Sequence, residues 1–166
     1  MTDYQRVVEF NSVCGNVVAT TPQLIIFDSN PQLIKNRLAL ITEEVRELTE
    51  AIEAKDFTET VDAFADILYV VHGMASAMGV DLDRAFDIVH KSNMSKLCNS
   101  EEEAQLTVKH YQDNVATLHY DSPSFRPVVL SNGETKFVVY NKSTGKILKN
   151  INYTPANFKS MLMRNE

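Results

Sequence analysis

The strongest constraint on this chain is a hydrophobic stripe. Ile34, Leu38, Ile41, Val45, Leu48 and Ile52 recur at intervals of 4, 3, 4, 3 and 4 residues, the spacing of a helix with one continuous apolar edge. Asn30 before Pro31 marks its start, because proline is favoured at the first helical position. Lys55-Asp56 interrupts the stripe, and Asp56 can cap a second helix from about Phe57 to Met78. Apolar residues occupy most of that helix's circumference: Phe57, Val61, Phe64, Leu68, Val71 and Ala75 on one side, Ile67 and Met74 on another. Such a helix is expected to be the buried one. Gly79 ends it, and a third helix opens at Asp81 or Leu82 and runs to about Leu97. A fourth opens at Asn99-Ser-Glu-Glu-Glu103, where acids suit the helix dipole, and continues to about Ala116. Ahead of Asn30, Val7, Val8, Phe10, Val13 and Cys14 suit a short amphipathic helix followed by irregular chain.

Beyond Ser122-Pro-Ser the pattern changes. Lys136-Phe-Val-Val-Tyr140 and Lys146-Ile-Leu-Lys149 flank Asn141-Lys-Ser-Thr-Gly145, which reads as a β-hairpin. A lone hairpin is marginal in water, so it must pack on the helices. The expected fold class is therefore all-α: a bundle of four to five helices with a small C-terminal β-hairpin. Residues 1–118 form the helical domain, and residues 119–166 an extension packed on it.

Length and charge narrow the function. A chain of 166 residues suits one domain. Its 16 Lys+Arg against 22 Asp+Glu, a formal net charge of −6, argue against nucleic acid as a partner. Cys14 and Cys98 lack CxxC spacing and are too few for a disulfide framework, so a reducing, cytoplasmic setting is expected. The N-terminus has no basic region leading into an apolar run, so no signal peptide is expected. Apolar runs such as Ile67-Leu-Tyr-Val-Val71 fall far short of the ~20 residues of a membrane span, so no membrane partner is expected.

The acids are not scattered. On the first long helix Glu44 and Glu47 lie one turn apart on a flank shared with Arg37, Leu40 and Ala51, while Glu43 and Glu50 point nearly opposite to the core. On the second helix Glu59, Asp62, Asp66, Tyr69 and Gly73 fall on one side. Carboxylates in a core are normally paired or hold metal, and Arg37 and Arg46 are too few to neutralise these. Glu44, Glu47, Asp62 and Asp66 facing one another would make an all-oxygen site, which suits Mg²⁺ or Mn²⁺. Carboxylate-bridged iron would need Glu-x-x-His on two helices, and the nearest match, Asp87-Ile-Val-His90, occurs once. On the third helix Asn93 stands where the stripe of Leu82, Phe86, Val89 and Leu97 calls for an apolar residue. With Lys91 and Lys96 beside it, Asn93 reads as a phosphate and substrate contact. Cys14 and Cys98 read as small packing residues, and His72 and His110 as core or surface histidines.

These residues resemble the MazG-like, all-α nucleoside triphosphate pyrophosphohydrolases, the superfamily that includes phosphoribosyl-ATP pyrophosphohydrolases. Glu43-Glu-Val-Arg-Glu47 matches the family's first metal motif, and Asp66-Ile-Leu-Tyr-Val-Val71 matches the end of its second. That second motif is usually Glu-x-x-Asp. Here Ala63 stands three residues before Asp66, and the acid is one place earlier, at Asp62. Glu59-Thr-Val-Asp62 also fits literally, so the fourth ligand lies between Glu59 and Asp62. Ser92-Asn-Met-Ser-Lys96 and the tail segments Gly145-Lys-Ile-Leu-Lys149 and Tyr153-Thr-Pro155 resemble a phosphoribosyl-ATP-pyrophosphohydrolase-like branch.

The resemblance implies Mg²⁺-dependent hydrolysis of a nucleoside triphosphate between the α and β phosphates, giving a monophosphate and pyrophosphate. It implies metal ligands at Glu44, Glu47, Asp62 and Asp66, and catalytic roles for Glu43, Glu44 and Glu47, with Glu43 or Glu59 as a base or extra ligand. Substrate contacts fall to Lys91, Asn93 and Lys96, joined by Lys146 and Lys149, with the base near Phe10, Asn11 and Asn16. A homodimer or homotetramer is also implied. Rival readings are phosphoribosyl-ATP as the substrate, or a silent helical module that binds a nucleotide or a partner protein.

Overall fold

Residues 1–162 are described by the computed structural model. In chain order they form α1 (Asp3–Val13), α2 (Ile26–Ser29), α3 (Pro31–Ala54), α4 (Phe57–Met78), α5 (Leu82–Met94), α6 (Glu101–Asp113), α7 (Val115–Leu118), β1 (Pro123–Val129), β2 (Thr135–Asn141) and α8 (Lys159–Leu162). The protein is mostly helical, with one small antiparallel sheet near its C-terminus. It divides into two compact units, Met1–Phe86 with Phe158 onward, and Asp87–Asn157. The expected boundary at 118/119 lies inside the second of these.

Short-range chemistry fixes the ends of the long helices. The Asn30 side chain accepts from Leu33 N at 3.2 Å, with Pro31 opening α3. Asp56 caps α4 by accepting from the backbone of Thr58 at 3.0 Å and Glu59 at 3.1 Å. Between them Lys55 turns through the left-handed region at φ 57°, so α3 and α4 reverse direction in two residues and pack side by side. Gly79 closes α4 at φ +70°. A Cβ there would lie 2.0 Å from Thr21 O, so only glycine admits the strand of chain that runs past. That chain is tied down by Ala19 N donating to Ser76 O at 2.9 Å and Gln23 N to Met78 O at 3.0 Å.

Burial in the first unit departs from the expectation that α4 is the enclosed helix. Its buried residues are small: Ala63, Gly73, Ala75, Ser76 and Ala77. Phe57, Val61, Phe64 and Leu68 stand 82%, 50%, 53% and 59% exposed. The reason is the number of neighbours. Within one chain α4 packs chiefly on α3 and α1, which cover one side of an all-round apolar helix and leave the other bare. The α3 stripe is likewise only part covered, with Leu38, Val45 and Ile52 exposed. On α1, Val7 and Asn11 are the buried positions, while Phe10, Val13 and Cys14 are exposed, so Cys14 is no packing residue. By length and composition α4 is also long and apolar enough to cross a membrane, which short apolar runs did not suggest. An aspartate costs about 2.5–3.5 kcal/mol at the centre of such a span, and α4 carries Asp62 and Asp66.

The second unit has its own core of Cys98, Ala104, Tyr111, Val139 and Leu148, and α6 packs on both strands. Cys98 is buried as expected. The hairpin is not the one expected. β2 pairs with the upstream β1, Phe125 opposite Val139 and Pro127 opposite Phe137, through a turn at Ser131-Asn132-Gly133 with Gly133 at φ 83°. Only the glycine takes a positive φ, as in a three-residue hairpin loop that ends on a left-handed glycine. The segment expected as the partner, Lys146–Lys149, makes only an isolated bridge from Ile147 to Tyr140. The Asn141–Gly145 loop instead closes on itself, where the buried Asn141 side chain donates to Asp121, Ser143 and Thr144.

Candidate active site

The α3–α4 pair supplies the acids. With a rise of about 1.5 Å per residue and about 3.6 residues per turn, Glu44 and Glu47 share one flank of α3, and Asp62 and Asp66 one flank of α4. Glu44 is half-buried, whereas Glu43, Glu47, Glu59, Asp62 and Asp66 are exposed. The carboxylates therefore lie on an open face rather than in a core, and burial weighs only on Glu44. Their mutual repulsion remains. The Glu44 carboxyl is raised above the usual carboxylate range, first by desolvation and then by the charges of Glu47, Asp66, Glu43 and Asp62. Acids from both helices thus act on one another, and Asp62 is among them. Glu59 and Asp62 also line a common open recess of about 570 Å³ beside Phe57 and Val61.

Countercharge is scarce here. Arg46 pairs outward with Glu50 and lies 3.5 Å from Glu47. Among the described residues no ion pair reaches Glu44, Asp62 or Asp66. Nor do any three acids, histidines or cysteines among them converge closely enough to hold one ion as they stand. Four carboxylates, three exposed and Glu44 half-buried, with little countercharge still fit a hard divalent cation by donor type, since Mg²⁺ takes oxygen ligands and keeps several waters of its own.

The other expected contacts are distributed differently. Lys91, Asn93 and Lys96 belong to the second unit. There Lys96 Nζ donates to Asn93 Oδ1 at 2.7 Å, so these two are brought together, while Lys91 is exposed. The buried neighbour Ser92 is engaged by Tyr153 and donates to Thr154 O. Lys146 lies over the Tyr120 ring and Lys149 over the Tyr153 ring, at 5.1 and 4.7 Å from their centroids, cation–π contacts within that unit. On α1, Phe10 meets Tyr69 edge-on at 5.7 Å, and Asn11 is buried and bonded to Asn16. Residues that sequence reasoning left without a role also gather here: Arg37 of α3 and Gly73 of α4 both approach Asn11. The signal that could have found them was a glycine in the middle of a strong helix, which normally has a packing or functional reason.

The α3–α4 pair is a helical hairpin with acids on both arms. Residues 7–93 match the family model described as phosphoribosyl-ATP pyrophosphohydrolase, and the chain belongs to that family within the MazG-like all-α superfamily. Membership points to a pyrophosphohydrolase-type activity. An uncharacterized protein of Acanthamoeba polyphaga mimivirus is 31% identical to this chain, over 97% of it and 96% of the viral protein. The likeness thus extends past the family match into the second unit.

Proposed function

We propose that the protein is a Mg²⁺-dependent nucleoside triphosphate pyrophosphohydrolase, cleaving between the α and β phosphates to release a nucleoside monophosphate and pyrophosphate. The observation that carries this is the family match over residues 7–93, which spans the α3–α4 pair with Glu44 and Glu47 on one flank of α3 and Asp62 and Asp66 on one flank of α4. Glu44, Glu47 and Asp66 would hold the ion, with Asp62 or Glu59 as the fourth ligand. When bound, Mg²⁺ would neutralise phosphate charge and lower the pKa of the attacking water.

The chain's own residues supply the rest. Glu43 or Glu59, both exposed at the edge of the face, would accept the proton of that water on a carboxylate oxygen. The bare 57, 61, 64 and 68 positions of α4 have heptad-like spacing and are apolar, which supports a homodimer or homotetramer whose second copy covers them. The described family of the 7–93 match favours one second reading, with phosphoribosyl-ATP as the substrate.

A panel of ribo-, deoxyribo- and modified nucleoside triphosphates, together with phosphoribosyl-ATP, assayed for pyrophosphate in Mg²⁺ tests both readings. Pyrophosphate from a triphosphate is expected. Release of orthophosphate, or no turnover of any of them, refutes the proposal, and turnover of phosphoribosyl-ATP alone selects the second reading.

A further inference from the structure

Arg37 lies in the first unit, on the same flank of α3 as Glu44. The two are seven residues apart, about 10.5 Å along the axis at 1.5 Å per residue, too far for a direct ion pair. Across from it, Gly73 stands seven residues beyond Asp66 on the corresponding flank of α4. A Cβ at Gly73 would lie 3.3 Å from Arg37 Nη1, 3.7 Å from Asn11 Nδ2 and 4.0 Å from Val7 Cγ1. Glycine is a poor residue for the middle of a helix. Its use here leaves a notch in which the guanidinium rests against α4.

The notch is built from α1 as well. Asn11 is only 3% exposed. Its Nδ2 donates to Val7 O at 3.0 Å, and its Oδ1 accepts from Asn16 Nδ2 at 2.9 Å and from Arg37 Nη2 at 3.5 Å. A fixed, neutral amide therefore steers one edge of the guanidinium. Among the described residues no carboxylate pairs with Arg37, although the chain carries six surplus negative charges. A half-buried arginine, held in place yet left without a counter-ion, is a binding group for a planar or tetrahedral oxyanion.

We infer that Arg37 is an anion contact of the site, taking the terminal phosphates of a polyphosphate that extends along the α3–α4 face from the carboxylates, with Asn11 and Gly73 as its positioning residues. This rests on the pyrophosphohydrolase reading and adds to it the residue that receives the leaving pyrophosphate. It also explains how a face so rich in acids holds a substrate end that lies beyond them.

Isothermal titration of inorganic tripolyphosphate, of a nucleoside monophosphate and of Mg²⁺ alone tests it, on the wild-type chain and on Arg37→Ala, Arg37→Lys and Gly73→Ala. A lost charge-assisted contact predicts roughly a ten- to hundredfold weaker tripolyphosphate affinity in Arg37→Ala. Monophosphate and Mg²⁺ binding should stay within about threefold, Arg37→Lys should fall between, and Gly73→Ala should lose several-fold by displacing Nη1. Equal losses for tripolyphosphate and monophosphate overturn the inference, as does Arg37→Lys behaving like Arg37→Ala. Unchanged tripolyphosphate binding in every variant overturns it while leaving the pyrophosphohydrolase reading intact. A wild-type chain that binds no tripolyphosphate in Mg²⁺ removes both. Should Arg37→Ala not fold, wild-type affinity in both Arg37→Lys and Gly73→Ala overturns the inference.

Discussion

Replacing Asp66 by asparagine removes one of the charges that raise the Glu44 carboxyl while keeping the size of the side chain. Two unit charges 4 Å apart repel by about 1 kcal/mol in water and about 4 kcal/mol at an effective dielectric of 20. Asp66 is exposed, and among the described residues no three acids lie close enough to share an ion, so the relief belongs at or below the water value, about 0.5–1 kcal/mol. In a chelator the variant should therefore be more stable than the wild type. At about 2–4 °C per kcal/mol for a chain of this size, its melting midpoint should rise by roughly 1–4 °C. Mg²⁺ reverses the order. An ion at a hundredfold excess over its Kd stabilises the protein that binds it by about 2.7 kcal/mol, or roughly 5–10 °C, and Asp66→Asn should forfeit most of that. The assay is a pair of melts followed by far-ultraviolet circular dichroism, in EDTA and in excess Mg²⁺, with Glu50→Ala as a control whose Mg²⁺ shift matches the wild type. If Asp66→Asn is the less stable protein in EDTA, these acids form no repulsive cluster, and if Mg²⁺ raises both midpoints equally, they form no metal site.

Leu68→Glu places a charge in the bare stripe of α4 at a position already 59% exposed, so each chain should keep its helix content while the assembly falls to single-chain mass in sedimentation. A wild type that sediments as a single chain at every concentration refutes the homo-oligomer. Burial works to raise the Glu103 carboxyl, but donation from Asn152, the Asn99 backbone and Asn150, with the charge of Lys136, holds it below the usual range. That stabilisation is present above the ordinary carboxyl pKa and is lost as pH falls through the lowered one. Glu103→Gln should therefore cost about 1–3 kcal/mol at neutral pH and progressively less on acidification. Denaturation of the variant and wild type across that range checks this, and a constant gap contradicts it.

The parts of this fold written within a few residues of one another were legible in the sequence. Asn30-Pro31, Asp56 and Gly79 set helix ends by capping their own neighbours, and those boundaries appear where the sequence places them. Exposure was not legible, because the circumference of α4 records every surface it can cover, including any that a single chain does not supply. The hairpin went astray where two turn signals competed. Asn132-Gly133 closes β1 on β2, whereas the loop ending at Gly145 turns back on the Asn141 side chain. At the site, helical pitch was enough to put Glu44 with Glu47 and Asp62 with Asp66. The notch holding Arg37 needed the crossing of α1 over α4, a contact across distant sequence that periodicity does not encode.

The two-residue reversal at Lys55-Asp56 also bears on how the protein comes to be folded. The acids at positions 44 to 66 all sit on one antiparallel pair of helices joined by that turn, so bringing them together requires closing only a short loop. Loop-closure entropy grows with the length enclosed, and helical hairpins rich in local contacts form on the fast end of the folding scale. The short loop predicts that the charged face forms early, before the α1 crossing or the sheet adds longer-range contacts. Its repulsion would then act from the start of folding, and if the acids hold a divalent cation as proposed, that cation would change the rate of folding as well as the stability of the finished protein.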